Sequence, residues 1–246
     1  MLKAVFFDAA GTLFDAREPV GHTYARIARQ HGLSADDAAV SSGFRRAFST
    51  TSGLAFGPGR RSDEIRRLER EWWYGLVRRS FEGLGEFDSF DVFFEELFAY
   101  FGDPANWVPL PEAHLVLRYL KDKNLKLGII SNFDYRLYRI LEGLDLRPFF
   151  DNVTISSEAG YAKPAGQIFA TALSALGVVG DEAVHIGDSE HMDVRGAQDA
   201  GLRAILIDVG NRDVGKTGAP TIARGGARVS SLAQMIEVMR LLRFTE

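Results

Sequence analysis

The 246-residue chain has no cysteine. Disulfides, thiolate metal centres and cysteine nucleophiles are therefore excluded. Lysine is scarce: six lysines stand against 23 arginines, and none lies between Lys3 and Lys121. Chemistry that needs an amine from that interval is excluded with it. No apolar run approaches the ~18 residues that cross a bilayer, so no membrane segment is expected. The first residues run straight into a strand-like segment without a secretory pattern, and a cytoplasmic location is the expectation. A net charge of −4 argues against general attraction to nucleic acid or anionic membranes. What is present is ordinary for a globular chain, at 46% hydrophobic and 25% charged residues.

Five strand-like runs stand out: AVFF before Asp8, LKLGIIS over 125–131, NVTIS over 152–156, AVHIG over 183–187 and AILID over 204–208. Helical periodicity falls between and after them, over about 111–123, 135–143, 165–176, 191–200 and 231–243. Strands alternating with helices predict parallel βαβ units, hence an α/β fold with a doubly wound, Rossmann-like parallel sheet. Residues 16–108 break this rhythm. They offer no strand, but helical patterns near 19–31, 34–50, 61–81 and 88–101, separated by GLAFGPG and GDPANWVP. The expected organisation is a core of residues 1–15 and 109–246 with a four-helix insertion over 16–108. Within it, RRSDEIRRLEREWWYGLVRR interleaves acids with its arginines and reads as a solvated, ion-paired helix face. Trp72, Trp73 and Tyr74 are expected to pack the bundle core.

In open α/β sheets the crevice beyond the carboxyl ends of the strands holds the chemistry. Strand one ends at Asp8, strand two at Ser131-Asn132, and Lys163-Pro164 follows strand three. Strand four runs into GDSEHMD, which supplies Asp188 and Asp193. Singly, each could be a turn former or a helix cap. Together they set three carboxylates, a hydroxyl and an amine on one sheet edge.

In this order and spacing the motifs resemble those of the haloacid dehalogenase superfamily. DAAGT is similar to the first motif, usually DxDGT; Ser131 matches the second, Lys163 the third and GDSEHMD the fourth. The helical insertion resembles the type-one cap of that family. FFDAAGTLF, EPVGHTYARIARQHG and EWWYGLVRRSF resemble the branch related to the rhythmically expressed gene product of flies. The resemblance implies Asp8 as nucleophile and a Mg²⁺ cofactor held by Asp8, the main-chain carbonyl of Ala10 and Asp188. Asp193 would bind the metal or hold Lys163. Lys163 and Ser131 would be catalytic, and Gly11, Thr12 and Asn132 would shape the substrate site. The implied partner is a small phosphorylated molecule, with no nucleic acid and no membrane.

One position departs from the pattern. Family phosphatases carry a second aspartate two residues after the nucleophile, which protonates the leaving oxygen and then activates water. Here that residue is Ala10, which keeps a main-chain carbonyl but cannot move a proton. Three readings follow: a phosphatase for leaving groups that need no proton, a different reaction on the same scaffold, or a catalytically impaired protein that binds Mg²⁺ and phosphate. Phosphonoacetaldehyde hydrolases resemble the chain in having alanine there, but use a cap lysine that this chain lacks. Haloacid dehalogenases are metal-free and lack the acidic fourth motif.

Overall fold

A computed structural model describes residues 1–208, 220–223 and 226–241. Its strands are β1 (Ala4–Phe7), β2 (Phe14–Ala16), β3 (Trp107–Pro109), β4 (Lys126–Ser131), β5 (Asn152–Ile155), β6 (Ala183–Gly187), β7 (Arg203–Ile207), β8 (Thr221–Ala223) and β9 (Gly226–Val229). The main sheet has the order β5-β4-β1-β6-β7-β9-β8. All its neighbours pair in parallel except β8 with β9. The chain thus starts in the middle of the sheet and winds outward both ways.

Alternation along β1 shows how the sheet is sealed. Val5 and Phe7 enter one apolar cluster, with α5 (Ala113–Asp122), α6 (Arg136–Gly143) and α10 (Leu232–Leu241). Ala4 and Phe6 enter a second, with α8 (Gly166–Leu176) and α9 (Gly196–Asp199). The period of two sends successive side chains to opposite faces, and helices cover both. The expected helix over 231–243 is observed as α10, and residues 242–246 lie outside the described residues.

Between β2 and β3 the chain forms α1 (Val20–Gln30), α2 (Asp37–Thr50), α3 (Ser62–Ser80) and α4 (Phe90–Tyr100). Asp36 caps α2, its side chain accepting from the amides of Ala38 and Ala39. The bundle interior is rich in rings, among them Tyr24, Phe81, Phe93 and Phe94. Trp73 and Tyr74 pack against it, whereas Trp72, half-buried, packs edge-on against Phe48 and Trp73 and donates to the Ser52 carbonyl. The arginines of α3 are paired as expected, Arg67 with Glu71 and Arg70 with Glu95.

Three features differ from expectation. The main sheet has two strands beyond the five expected, β9 and the antiparallel edge strand β8, each too short for an alternation pattern to stand out. Residues Phe14–Ala16 and Trp107–Pro109 pair antiparallel where the chain enters and leaves the helical segment. Three residues are too few for an alternation pattern to be visible. The expected helix over 191–200 is instead a π-helical turn, Glu190–Arg195, followed by α9. The wide turn folds Asp193 back under Gly187, where an added Cβ would lie 2.2 Å from the Asp193 Cγ. Among the described residues, no helix is long and apolar enough to cross a membrane.

Candidate active site

Asp8 follows β1 directly and is buried. The chain then turns sharply at Gly11, whose φ of +84° favours glycine. Space demands glycine here too, because a Cβ would stand 2.5 Å from Asp188 Oδ2. The turn therefore brings the loop after β1 against the carboxylate that follows β6. Thr12 is fully buried, and its hydroxyl has no hydrogen-bond partner among the described residues.

Lys163 joins the strand ends. Its Nζ donates to Asp8 Oδ1 at 2.8 Å and to Asp193 Oδ1 at 2.5 Å, all within buried surroundings. Burial alone would push the lysine down, but Asp8 and Asp193 together outweigh it and hold the ammonium above its ordinary range. Asn132 fixes the lysine's main chain. Its Oδ1 accepts from the Lys163 amide at 2.7 Å and its Nδ2 donates to the Lys163 carbonyl at 3.0 Å. Asn132, expected at the substrate site, thus has both its amide oxygen and its amide nitrogen bonded to the Lys163 main chain. Ser131 closes β4 and is buried beside it in sequence.

Asp193 is fully engaged. Oδ1 accepts from Lys163 and from His185 Nε2 at 2.9 Å, and Oδ2 accepts from the Ser189 amide at 3.0 Å. Burial opposes its charge, but Lys163 and His185 hold its carboxyl well below the usual carboxylate range. His185, fully buried on β6, is pushed down chiefly by that burial and stays neutral. Facing a carboxylate that can only accept, its Nε2 carries the proton, and Nδ1 has no partner among the described residues. The sequence reading passed over His185. The signal was a single polar residue inside an apolar strand, two positions before the Gly187-Asp188 pair.

Asp188 stands open at the mouth of this cluster. Crowding by protein atoms, and then the charges of Asp8 and Asp193, push its carboxyl up to about 7. Oxygens of Asp8, Asp188 and Asp193 lie within 4.8 Å of one another, opposed by one ammonium. Such a set of hard oxygen donors with excess negative charge fits a divalent cation such as Mg²⁺.

The site also reaches the helices. Residues 132–135 follow β4, and Trp73 Nε1 of α3 donates to Asp134 Oδ2 at 2.6 Å. Arg136 clamps the same carboxylate through Nε and Nη2, at 2.9 and 2.7 Å. Glu69 of α3 is fully buried, and its Oε1 accepts from the Tyr135 amide at 3.2 Å. Burial first, and Asp134 as well, push Glu69 up to about 7. Beyond β5, at the start of the short helix α7 (Ser156–Ala159), Ser156 Oγ donates at 2.6 Å to the carbonyl of Leu54 in the loop between α2 and α3. Glu69, Asp134 and Arg136 were not singled out by the sequence, which offers no periodic signal for a polar contact 66 residues apart.

Residues 2–201 match the family model described as haloacid dehalogenase-like hydrolase. The chain belongs to the haloacid dehalogenase-like hydrolases. Over 214 residues it is 36% identical to haloacid dehalogenase-like hydrolase domain-containing protein 3 of Bos taurus, covering 84% of this chain and 82% of that one. It is 28% identical over 244 residues to glyceraldehyde 3-phosphate phosphatase of Methanothermobacter thermautotrophicus, covering 98% and 100%. Among solved structures it resembles a HAD phosphatase from Thermococcus onnurineus, with a TM-score of 0.62, 26% identity and coverage of 97% and 98%. Membership in this hydrolase family accords with the convergence of Asp8, Lys163, Asp188 and Asp193, which one strand-end cluster brings together from three segments.

Proposed function

We propose that the chain is a phosphoryl hydrolase for small phosphorylated molecules whose leaving group departs without a proton. The observation that carries this reading is the Asp8 carboxylate, hydrogen-bonded to a buried, charged lysine with Asp188 alongside. Asp8 attacks phosphorus, the bond to the leaving oxygen breaks, and an aspartyl-phosphate forms. Water then cleaves that intermediate and restores Asp8. Lys163 offsets the negative charge of nucleophile and phosphoryl oxygens, and Ser131 donates to a phosphoryl oxygen. Gly11 and Thr12 shape the loop beneath the phosphoryl group. Asp193, occupied on both oxygens, acts by holding Lys163. Asp8, Asp188 and the Ala10 carbonyl would hold Mg²⁺, which supplies charge neutralisation when bound. Residues 16–108 act as a cap over a core of residues 1–15 and 109–246, with the β2–β3 ribbon as the junction. Phosphatases among the relatives support a small phosphorylated substrate. No lysine in residues 16–108 can form a Schiff base, which disfavours phosphonatase chemistry.

Ala10 favours a second reading, a protein that binds Mg²⁺ and phosphate but does not turn over. Trapping separates the two. On the first reading, acetyl phosphate with Mg²⁺ gives a burst of acetate and a phosphorylated Asp8 detectable by mass spectrometry. Asp8→Asn abolishes both, with a rate loss of at least about 10³-fold. Phosphate binding with no covalent product in the wild-type protein would establish the second reading.

A further inference from the structure

His185 is fully buried at the middle of β6, yet no step of the proposed reaction uses it. It pairs in register with Phe6 of β1 on one side and Ala204 of β7 on the other. The rest of the strand, Ala183, Val184, Ile186 and Gly187, carries no polar side chain. The imidazole meets Phe169 of α8 edge-on, with ring centroids 5.4 Å apart. Among the described residues, its Nδ1 has no hydrogen-bond partner. Burying an acceptor without a donor costs stability. Packing alone would be served as well by an apolar ring, without that cost. What an apolar ring could not supply is the bond from Nε2 to Asp193 Oδ1, at 2.9 Å.

That oxygen is shared. Asp193 Oδ1 accepts from His185 and from Lys163 Nζ, while Oδ2 accepts from the Ser189 amide. Lys163 in turn divides its ammonium between Asp193 at 2.5 Å and Asp8 at 2.8 Å. Asp193 stands on the π-helical turn, an irregular segment, whereas His185 is held by strands on both sides. The Nε2–H bond therefore ties the carboxylate of the turn to the centre of the sheet. It also stabilises the charge on Oδ1, and a carboxylate stabilised by another donor pulls less on its ammonium. With the imidazole in place, the ammonium stays bonded to Asp8. Without it, Oδ1 turns wholly to Lys163 and draws the ammonium away from the nucleophile.

We propose that His185 is a positioning residue of the phosphoryl site, which anchors Asp193 and so sets how Lys163 is shared between Asp193 and Asp8. The proposal rests on the phosphoryl-hydrolase reading and adds to it a residue that touches neither substrate nor metal.

Two substitutions separate positioning from packing. His185→Phe keeps a ring against Phe169 and loses the donor. His185→Gln loses the ring and keeps an N–H donor. The full chain with Mg²⁺ is mixed with acetyl phosphate, and phosphorylated Asp8 is followed through a single turnover by mass spectrometry. His185→Phe is expected to slow Asp8 phosphorylation by about 10–100-fold, the usual effect of removing a group that orients a reacting one. His185→Gln should restore most of the rate. A packing role predicts the reverse order, with Phe close to wild type and Gln slow. That order, or equal rates for wild type and Phe, would overturn the proposal. His185→Leu, which also lacks a donor, takes the place of Phe if Phe does not fold. If the wild type itself forms no phosphorylated Asp8, the phosphoryl-hydrolase reading fails. The ammonium then decides the positioning claim. The chain has six lysines, so ¹⁵N-lysine labelling resolves the Lys163 Nζ signal by NMR, identified by its absence in Lys163→Met. A signal that shifts in His185→Phe and returns toward its wild-type position in His185→Gln upholds the proposal. One that is unmoved in His185→Phe removes it.

Discussion

The carboxyl edge of the sheet and the helical segment handle charge in opposite ways. At the sheet edge, Asp8, Lys163, Asp193 and His185 are buried and share hydrogen bonds around one ammonium. In the helices, charges sit outside in pairs such as Arg67–Glu71, and the interior is aliphatic and aromatic. The first arrangement fixes charged groups in place at the cost of desolvating them. The second keeps charge in water and leaves a neutral interior. Glu69 is the exception on the helical side, a carboxylate carried by α3 into the contact with the core.

This contrast can be broken most severely at Lys163. Lys163→Met leaves Asp8 and Asp193 buried without their cation, and removing one partner of a buried ion pair costs about 3–5 kcal/mol. Urea unfolding should register that loss in the midpoint. A near-neutral change would mean that the buried charges are not interdependent.

Glu69 gives the next largest effect, with a sign set by its raised pKa. Folded Glu69 titrates at about 7, above the ordinary value of 4.5. The folded state then holds more protons than the unfolded state between those values, so stability falls as pH rises through that window. Below it the neutral side chain carries no penalty. Arg66, Asp134, the Tyr135 amide and Ser157 are the groups that act on it. Glu69→Gln should therefore be more stable than wild type at pH 8, by up to about 3 kcal/mol, and the advantage should vanish near pH 4. Parallel stability curves for the two proteins across pH 4–8 would contradict this. At the other extreme, Arg67→Ala removes an exposed i,i+4 pair and should change stability by only about 0.3–0.5 kcal/mol. A loss as large as that at Lys163 would erase the distinction between the regions.

The same difference explains what could be read in the sequence. Asp8, Ser131 and Asp188 were legible because each ends or follows a buried apolar strand, and sheet topology brings strand ends together. Lys163 and Asp193 were legible through motif order. The role of Asn132 was not, since its two hydrogen bonds go to a main chain 31 residues away. His185 was hidden inside an apolar run. In the helical segment, rings occur on several faces of α3 and α4, so periodicity predicted helices but not which rings, Trp73 and Phe98 among them, would line a cavity. The β2–β3 ribbon was too short to leave a pattern.

The central claim is that Ala10 leaves a working nucleophile without a proton handler. The most direct measurement compares wild type with Ala10→Asp on acyl and aryl phosphates and on alkyl phosphates. A positioned acid contributes about 10²–10⁴-fold, so wild type should turn over alkyl esters more slowly by that order. Ala10→Asp should rescue alkyl esters more than acyl phosphates. Rapid alkyl-ester turnover by wild type, unimproved by the substitution, would contradict the account and assign the proton to another residue.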